Sequence, residues 1–526
     1  MYMLTVKELP DAGLLAQRPR AKRYAEVYAA ALSGVKPEAV KVQVHLTAGL
    51  PAFHIVGLGD TAVKESHRRV TAALKNSGFR VPDGVITVNL APALLHKSGT
   101  GFDLAIALGI LLADDVLPKN SFDRHIVVGE LGLDGSVSNV HGMVGYGMLA
   151  RKMDRSIVCA DNSVFDGLFD LDTLPLDHLA DLHVAGGHIS PVKVRENFTT
   201  HNAAHKLECG DFADVVGQAQ AVRALTIAAA GQHNILMVGP PGTGKTMLAS
   251  RLPGILPRLD ADELVETALI FSVAGASFNH HVKQRPFRAP HHSATTTAVI
   301  GGGNPVKPGE VSLAHNGVLF LDEMPQFTRN TLQSLRQPIE DRKVTVVRAQ
   351  GAFTFASDFM LVGAANPCPC GYLGDKLQNC RCLPHHIEQY QSKIGGPLID
   401  RFDLFVTVPR PNSDHFFDKD RSGNECCTTS ADIAKQVASA RSFARSMGRL
   451  SARSYSRQEL CVPELIEAKA LALLRKAAHS LKLSGRSIVG TLRLSRTIAD
   501  LDGSMQVSSS HLCEALSYRK TWNNHD

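Results

Sequence analysis

The chain has 526 residues, 44% of them hydrophobic and 20% charged, with a formal net charge of +6. Such a length predicts about three domains, and so mild a charge permits a polyanionic partner without requiring one. No uninterrupted apolar run approaches the roughly 20 residues that span a bilayer, the nearest being Leu104 to Ala113, so no membrane partner and a cytoplasmic location are expected. Ten cysteines in a reducing compartment do not form a disulfide framework, and their clustering needs another account.

Residues 1–23 carry a basic cluster at Arg18 to Arg23 but no ordered secretory signal, and read as a flexible extension or an over-called start. From Tyr24 the pattern predicts strands at Val40 to Leu46, Ala52 to Val56 and Val85 to Leu90, and helices at Val63 to Ser77 and Phe102 to Leu112. Strand-like Ile126 to Leu131 meets Ser136 to Val140 across Asp134-Gly135, a hairpin signal, and Ser156 to Cys159 adds a further strand before about Gly187.

The stretches GLPAFHIVGLGDTAVKES (Gly49 to Ser66), GVITVNLAPA (Gly84 to Ala93) and KSGTGFDLAIALGIL (Lys97 to Leu111) resemble the amino-terminal domain of the Mg-chelatase-like AAA+ ATPases of the ComM/YifB family. That domain is similar to the proteolytic domain of Lon, which raises the question of a protease. A Lon-type dyad needs an exposed serine at the helix start and a desolvated lysine as its base. Neither is found: the helix opens on Gly99-Thr100-Gly101-Phe102, and Val144 stands where the lysine would be. Ser98 and Thr100 read as capping or turn residues, and the domain as a non-catalytic scaffold. Asp134-Gly-Ser-Val-Ser138 spells an adhesion-type metal motif in a hairpin turn, where Asp-Gly has its own structural reason, so no metal is expected there.

Beyond a linker over 188–210, Val215-Val216-Gly217-Gln218 opens a helix to Gly231; in the resembling family this segment packs near adenine, although it is also an ordinary loop and helix start. The run Ile235 to Val238 then breaks into Gly239-Pro240-Pro241-Gly242-Thr243-Gly244-Lys245-Thr246. A buried strand, a GxxxxGK[ST] loop and a following helix together predict a nucleotide site: backbone N–H groups and a helix N-terminus face the phosphates, Lys245 reaches the terminal ones, and the Thr246 hydroxyl holds Mg²⁺.

The acidic half of an ATP site is predicted at Gly317 to Glu323, an apolar strand ending in Asp322 for Mg²⁺ and Glu323 to polarise water. Strand Phe359 to Ala365 ends at Asn366, which matches the family's sensor position and is also an ordinary turn residue. Gly396-Pro-Leu-Ile-Asp-Arg-Phe-Asp403 is similar to the family's arginine-finger segment, which makes Arg401 the expected finger onto a neighbour's ATP, or else a local ion-pair partner. Helical stretches at Ala431 to Met447, Val462 to Leu481, Ser487 to Leu501 and Ser509 to Tyr518 suit a helical lid. The resemblance implies that Arg486 reaches a γ-phosphate from that lid, with Gly490 departing from a second arginine found in relatives.

Two further features lie between these parts. Lys283, Arg285, Arg288, His291 and His292, with Phe278 or Phe287, would meet phosphates and bases in a channel; equally, the histidines would be structural. Cys368, Cys370, Cys380 and Cys382 offer four thiolates to a structural zinc at an unusual one-residue spacing, or remain reduced thiols in a partly buried turn.

The fold expected is α/β: a Lon-protease-like domain over 24–187, a P-loop AAA+ core over 211–411, a flexible connection over 412–430 and a helical lid over 431–526. The resemblance implies a hexameric ring that binds ATP and Mg²⁺ and moves along single-stranded or branched DNA, promoting branch migration during natural transformation. The alternatives are a chelatase-type motor that remodels a protein partner and a regulatory nucleotide binder.

Overall fold

A computed structural model describes residues 23–184, 192–194, 210–348, 351–375, 377–410, 428–449, 455, 457–481 and 483–519. Most of the expected amino-terminal extension, linker and connection over 412–430 therefore lies outside the described residues. Among the described residues no helix is long and apolar enough to cross a membrane.

The first unit is an eight-stranded mixed sheet. Its centre is the antiparallel pair Tyr24–Ser33 and Lys36–Thr47, of which the first strand was not anticipated and the second begins earlier than expected. Val85–Ala91 follows on one side and Ala52–Val56 closes that edge; His125–Val127, Ser156–Cys159 and Leu171–Pro175 extend the other side in parallel. Helix Asp103–Ala113, apolar on every side, is buried along its whole length against this sheet. Its first turn is tied down by an ion pair of Arg69 with the buried Asp103, 2.5 Å.

The single strand expected over Ile126 to Leu131 is in fact broken. His125–Val127 stays in the large sheet, whereas Glu130–Leu131 pairs with Val137–Ser138 in the separate hairpin that the Asp-Gly signal predicted. The break has a packing cause: Gly129 accepts from the N–H of Leu104 and donates to Gly101, so the helix start captures its backbone in place of a neighbouring strand. Within the turn, Ser136 donates both its N–H and its hydroxyl to Asp134, which accounts for that aspartate's chemistry without a ligand.

The second unit is a five-stranded parallel sheet in the order 287–288, 318–321, 360–365, 235–238, 404–407. Near-continuous apolar strands such as Val318–Leu321 and Met360–Ala365 are what burial on both faces requires. Helices Ala219–Gly231 and Lys245–Ile255 share one core with the later helices Ser430–Ser446 and Gly485–Leu501.

The two units share a hydrophobic cluster. Met143, Tyr146 and Leu149 of helix Met143–Lys152 pack with Leu264 and Ala268 of helix Ala261–Ala274. Val144 is buried in this seam, its N–H directed at the Ser272 hydroxyl at 3.3 Å.

Candidate active site

Three parallel strands deliver their following loops to one edge of the five-stranded sheet. Val238 leads into the glycine-rich loop, Leu321 into Asp322-Glu323, and Ala365 into Asn366. Helix Lys245–Ile255 starts directly at the loop with Gly244 as its N-cap, so the free N–H groups and positive end of the helix face the same space.

The side chains converge there. Lys245 Nζ donates to the Gly239 carbonyl at 2.7 Å, the Pro240 carbonyl at 2.8 Å and Asn366 Oδ1 at 3.3 Å. Burial pushes this ammonium down to about 8, against the pull of Asp322 and Glu323 nearby. Thr246 Oγ1 donates to Asp322 Oδ2 at 2.6 Å, so the hydroxyl and carboxylate that would share a divalent cation already touch. Glu323 holds a left-handed backbone, φ 46°, and its carboxylate is half exposed, with His292 Nδ1 3.8 Å away. A buried cation, a ring of backbone donors and two carboxylates, one exposed to water, suit a polyphosphate bound with a divalent metal and a water to be polarised.

Segment Val215 to Gln218 borders this edge. Gln218 donates to the Pro409 carbonyl, just beyond Val408, whose N–H bonds to Val238. Val216 and Gly217 thus lie beside the start of the phosphate loop, where a base or sugar would meet them.

Arg401 and Arg486 are elsewhere. Arg401 precedes strand Leu404–Thr407, whose Leu404 is level with Ile235, so it lies at the opposite edge of the sheet from Lys245. Its backbone carbonyl accepts from Asn234, the residue before the central strand. Arg401 Nη2 pairs with Glu340 Oε1 at 2.8 Å, and Arg486 Nη2 pairs with the same oxygen. The ion-pair alternative for Arg401 is therefore realised in the isolated chain, and Arg486 stands with Arg401 rather than with its own chain's phosphate loop.

The basic insertion needs correction in part. Arg285 is buried, donating to Glu263 and to the carbonyls of Pro257 and Asn316; Arg288 makes a two-pronged pair with Glu310 at 2.6 and 2.8 Å. Phe287 stacks on Phe320 at 5.9 Å and Phe278 on Phe271 at 4.8 Å. These four are structural, because each satisfies its charge or apolar area inside the fold. His291, exposed and bonded to Ser293, and His292, beside Glu323, are not absorbed in this way.

The four cysteines come together. All four Sγ atoms lie within 4.8 Å of one another, with Cys368, Cys370 and Cys380 separated by 3.4 to 3.6 Å. Tetrahedral zinc with Zn–S of about 2.3 Å needs sulfurs about 3.8 Å apart, so the set fits a structural zinc. Burial raises the Cys370 thiol, but hydrogen bonds from the Tyr372 and Arg381 backbone and from neighbouring thiols bring it down to about 6. The turn leans on the phosphate loop: a Cβ at Gly371 would lie 2.7 Å from Pro241.

Three features escaped the sequence. Glu340 had no signal beyond being one acid in a helix. The hairpin Lys343–Arg348 and Gly351–Ala356, with exposed Val347, was missed although its alternation is visible once the register is known. The space at Gly490 is also filled from afar: a Cβ there would lie 1.9 Å from Arg519 Nη2, so Arg519, which donates to the Phe402 carbonyl, occupies the place of a side chain on that turn.

Comparison with known proteins agrees with this arrangement. Residues 42–163 match the family described as subunit ChlI of Mg-chelatase, residues 211–416 match magnesium chelatase, subunit ChlI, and residues 427–519 match the ChlI C-terminal region. The chain is 42% identical to competence protein ComM of Haemophilus influenzae over 503 residues, covering 94% of this chain and 97% of that protein. It is 40% identical to YifB of Escherichia coli over 509 residues, covering 94% and 96%. A weaker similarity, 23% over 195 residues, reaches the probable DNA helicase MCM9 of Arabidopsis thaliana, covering 37% of this chain and 25% of that protein.

Proposed function

The chain belongs to the ComM/YifB family of Mg-chelatase-like AAA+ ATPases, and from that premise we propose that it is an ATP-hydrolysing ring motor that moves DNA. The observation that carries the reading is the convergence of Lys245, Thr246, Asp322 and Asn366 within hydrogen-bond reach at one sheet edge. Lys245 binds the terminal phosphates, and Gly239 to Gly244 line their path. Thr246 and Asp322 hold Mg²⁺, which neutralises phosphate charge when bound. Glu323 polarises the attacking water, and Asn366 orients it. Val216 and Gly217 face the base.

Arg401 serves the ATP of an adjacent copy, since it lies at the far edge of its own sheet, and Arg486 accompanies it. The helices beyond residue 430 act as the lid. A homo-oligomer follows from this division of the site, and the family resemblance makes it a hexamer. The Lon-like unit is a non-catalytic scaffold: Val144 replaces the base and is buried under the ATPase unit. The zinc-fitting cysteines brace the loop after Asn366 against the phosphate loop. The protein works in the cytoplasm.

DNA as the substrate is supported by the ComM relationship, by the weaker likeness to a probable DNA helicase, and by exposed basic groups on the two hairpins beside the acidic strand. Lys307 belongs to the small hairpin Gly301–Gly302 with Lys307–Pro308, and Arg348 to the longer one; a Cβ at Gly302 would lie 3.0 Å from Arg348 Nη2, so the two hairpins adjoin. Branch migration during transformation is the family-level expectation. The chelatase descriptions favour a second reading, a motor that remodels a protein partner. ATP turnover with and without single-stranded or forked DNA separates them: several-fold stimulation is expected, and turnover indifferent to DNA would favour the chelatase reading.

A further inference from the structure

Glu340 sits on the short helix Arg336–Asp341, just before the longer hairpin, and one of its oxygens receives two guanidinium groups from distant parts of the chain. Arg401 is nearly enclosed, 10% exposed; its Nη1 donates to the Pro397 carbonyl, and its Nε is buried without a partner. Arg486, in the first turn of helix Gly485–Leu501, is half exposed. Two positive charges thus share one carboxylate, which leaves net positive charge and an unused donor at a place open to solvent on one side.

We propose that Glu340 is the resident anion of an exchange site: it holds Arg401 and Arg486 side by side in the lone protomer and yields them to the terminal phosphate of a nucleotide bound to an adjacent copy. The inference rests on the reading that Arg401 serves a neighbour's ATP. A carboxylate that is 41% exposed forms weak pairs, because water competes for both partners. A terminal phosphate brings more charge and more acceptor oxygens in the geometry that guanidinium groups match, so the exchange runs toward phosphate when ATP is present. When hydrolysis removes that phosphate, Glu340 recaptures the pair and the contact between copies loosens. The carboxylate therefore makes the interface sensitive to the difference between ATP and ADP. Without it, the two arginines would meet even a diphosphate unopposed.

The test uses the full chain and measures assembly by sedimentation across ATP and ADP concentrations. Glu340→Gln should assemble at about five-fold lower ATP than the unmodified protein, on the scale of an exposed ion pair, and should also assemble in ADP. Glu340→Asp, whose shorter arm cannot reach both guanidinium groups, should shift the same way by about two-fold. Thermal denaturation without nucleotide checks that each variant is folded, and Glu340→Asp carries the test if Glu340→Gln is not. An unchanged or raised ATP requirement overturns the exchange role. Arg401→Ala separates this from the underlying reading: if it assembles and turns over ATP like the unmodified protein, the reading of Arg401 fails, whereas a defective Arg401→Ala beside an unaltered Glu340→Gln removes only Glu340's role.

Discussion

The two edges of the five-stranded sheet are built on different terms. At the edge where the strands end, Lys245, Thr246, Asp322 and Asn366 are already in contact, each delivered by the loop after its own strand. At the edge where the strands begin, Arg401 and Arg486 are brought together only by Glu340, through pairs exposed to water. One edge is preassembled for phosphate, and the other holds its cations in reserve on an exchangeable partner. A parallel sheet creates this asymmetry, because every loop that follows a strand gathers on the same side and every residue that precedes one is left on the other.

The largest expected effect breaks each edge separately. Lys245→Ala should cut steady-state ATP turnover by about a thousand-fold, and Arg401→Ala by about a hundred-fold or more while nucleotide binding persists. Mixing the two inactive variants should restore part of the turnover, since some interfaces would pair an intact phosphate loop with an intact Arg401. No recovery on mixing would mean that both edges serve the same protomer's nucleotide.

A smaller effect sharpens the description of the preassembled edge. With Lys245 at about 8 in the nucleotide-free protein, it starts to lose its proton in mildly alkaline solution, although ATP needs the cation. Binding must then take up a proton, so ATP affinity should fall as pH rises from 7.5 to 9, by up to about ten-fold per unit above pH 8. The same depression has the opposite sign for folding. Between pH 8 and the ordinary lysine range the unfolded chain binds the extra proton, so this group's contribution to stability rises with pH. Titration calorimetry in buffers of different ionisation heat measures the proton uptake, and a pH-independent affinity would show that Lys245 stays charged throughout.

The smallest effect concerns the brace between the cysteine turn and the phosphate loop. Purified protein should contain about one zinc per chain, and Cys368→Ser should lower Tm by about 3 °C and raise the ATP needed for half-maximal turnover. Absence of metal together with four freely titrating thiols would leave the turn held by packing alone.

Much of the preassembled edge was legible because its determinants are local. A buried strand, a glycine-rich loop and a helix start occupy consecutive residues from Ile235 to Leu252, and Val318 to Glu323 repeats the logic with an acidic end. The misreadings arose where one residue type serves two purposes. Arg285, Arg288 and Phe287 have the chemistry of a nucleic-acid contact, yet Glu263, Glu310 and Phe320 satisfy them inside the fold. Strand Tyr24–Ser33 went unseen because its alanines carry little strand preference and are buried by neighbours from later in the chain.

By itself the sequence determined the strand–loop–helix units, the phosphate loop, the acidic strand and the identity of the four cysteines, since each depends on spacing within a few residues. Only the tertiary structure decided that the cysteine sulfurs lie at metal-binding distance, that Val144 is sealed beneath a second unit, and that Arg401 and Arg486 meet on Glu340. Those outcomes depend on which distant segments pack together, and pairing between remote residues leaves no periodicity along the chain from which it could be read.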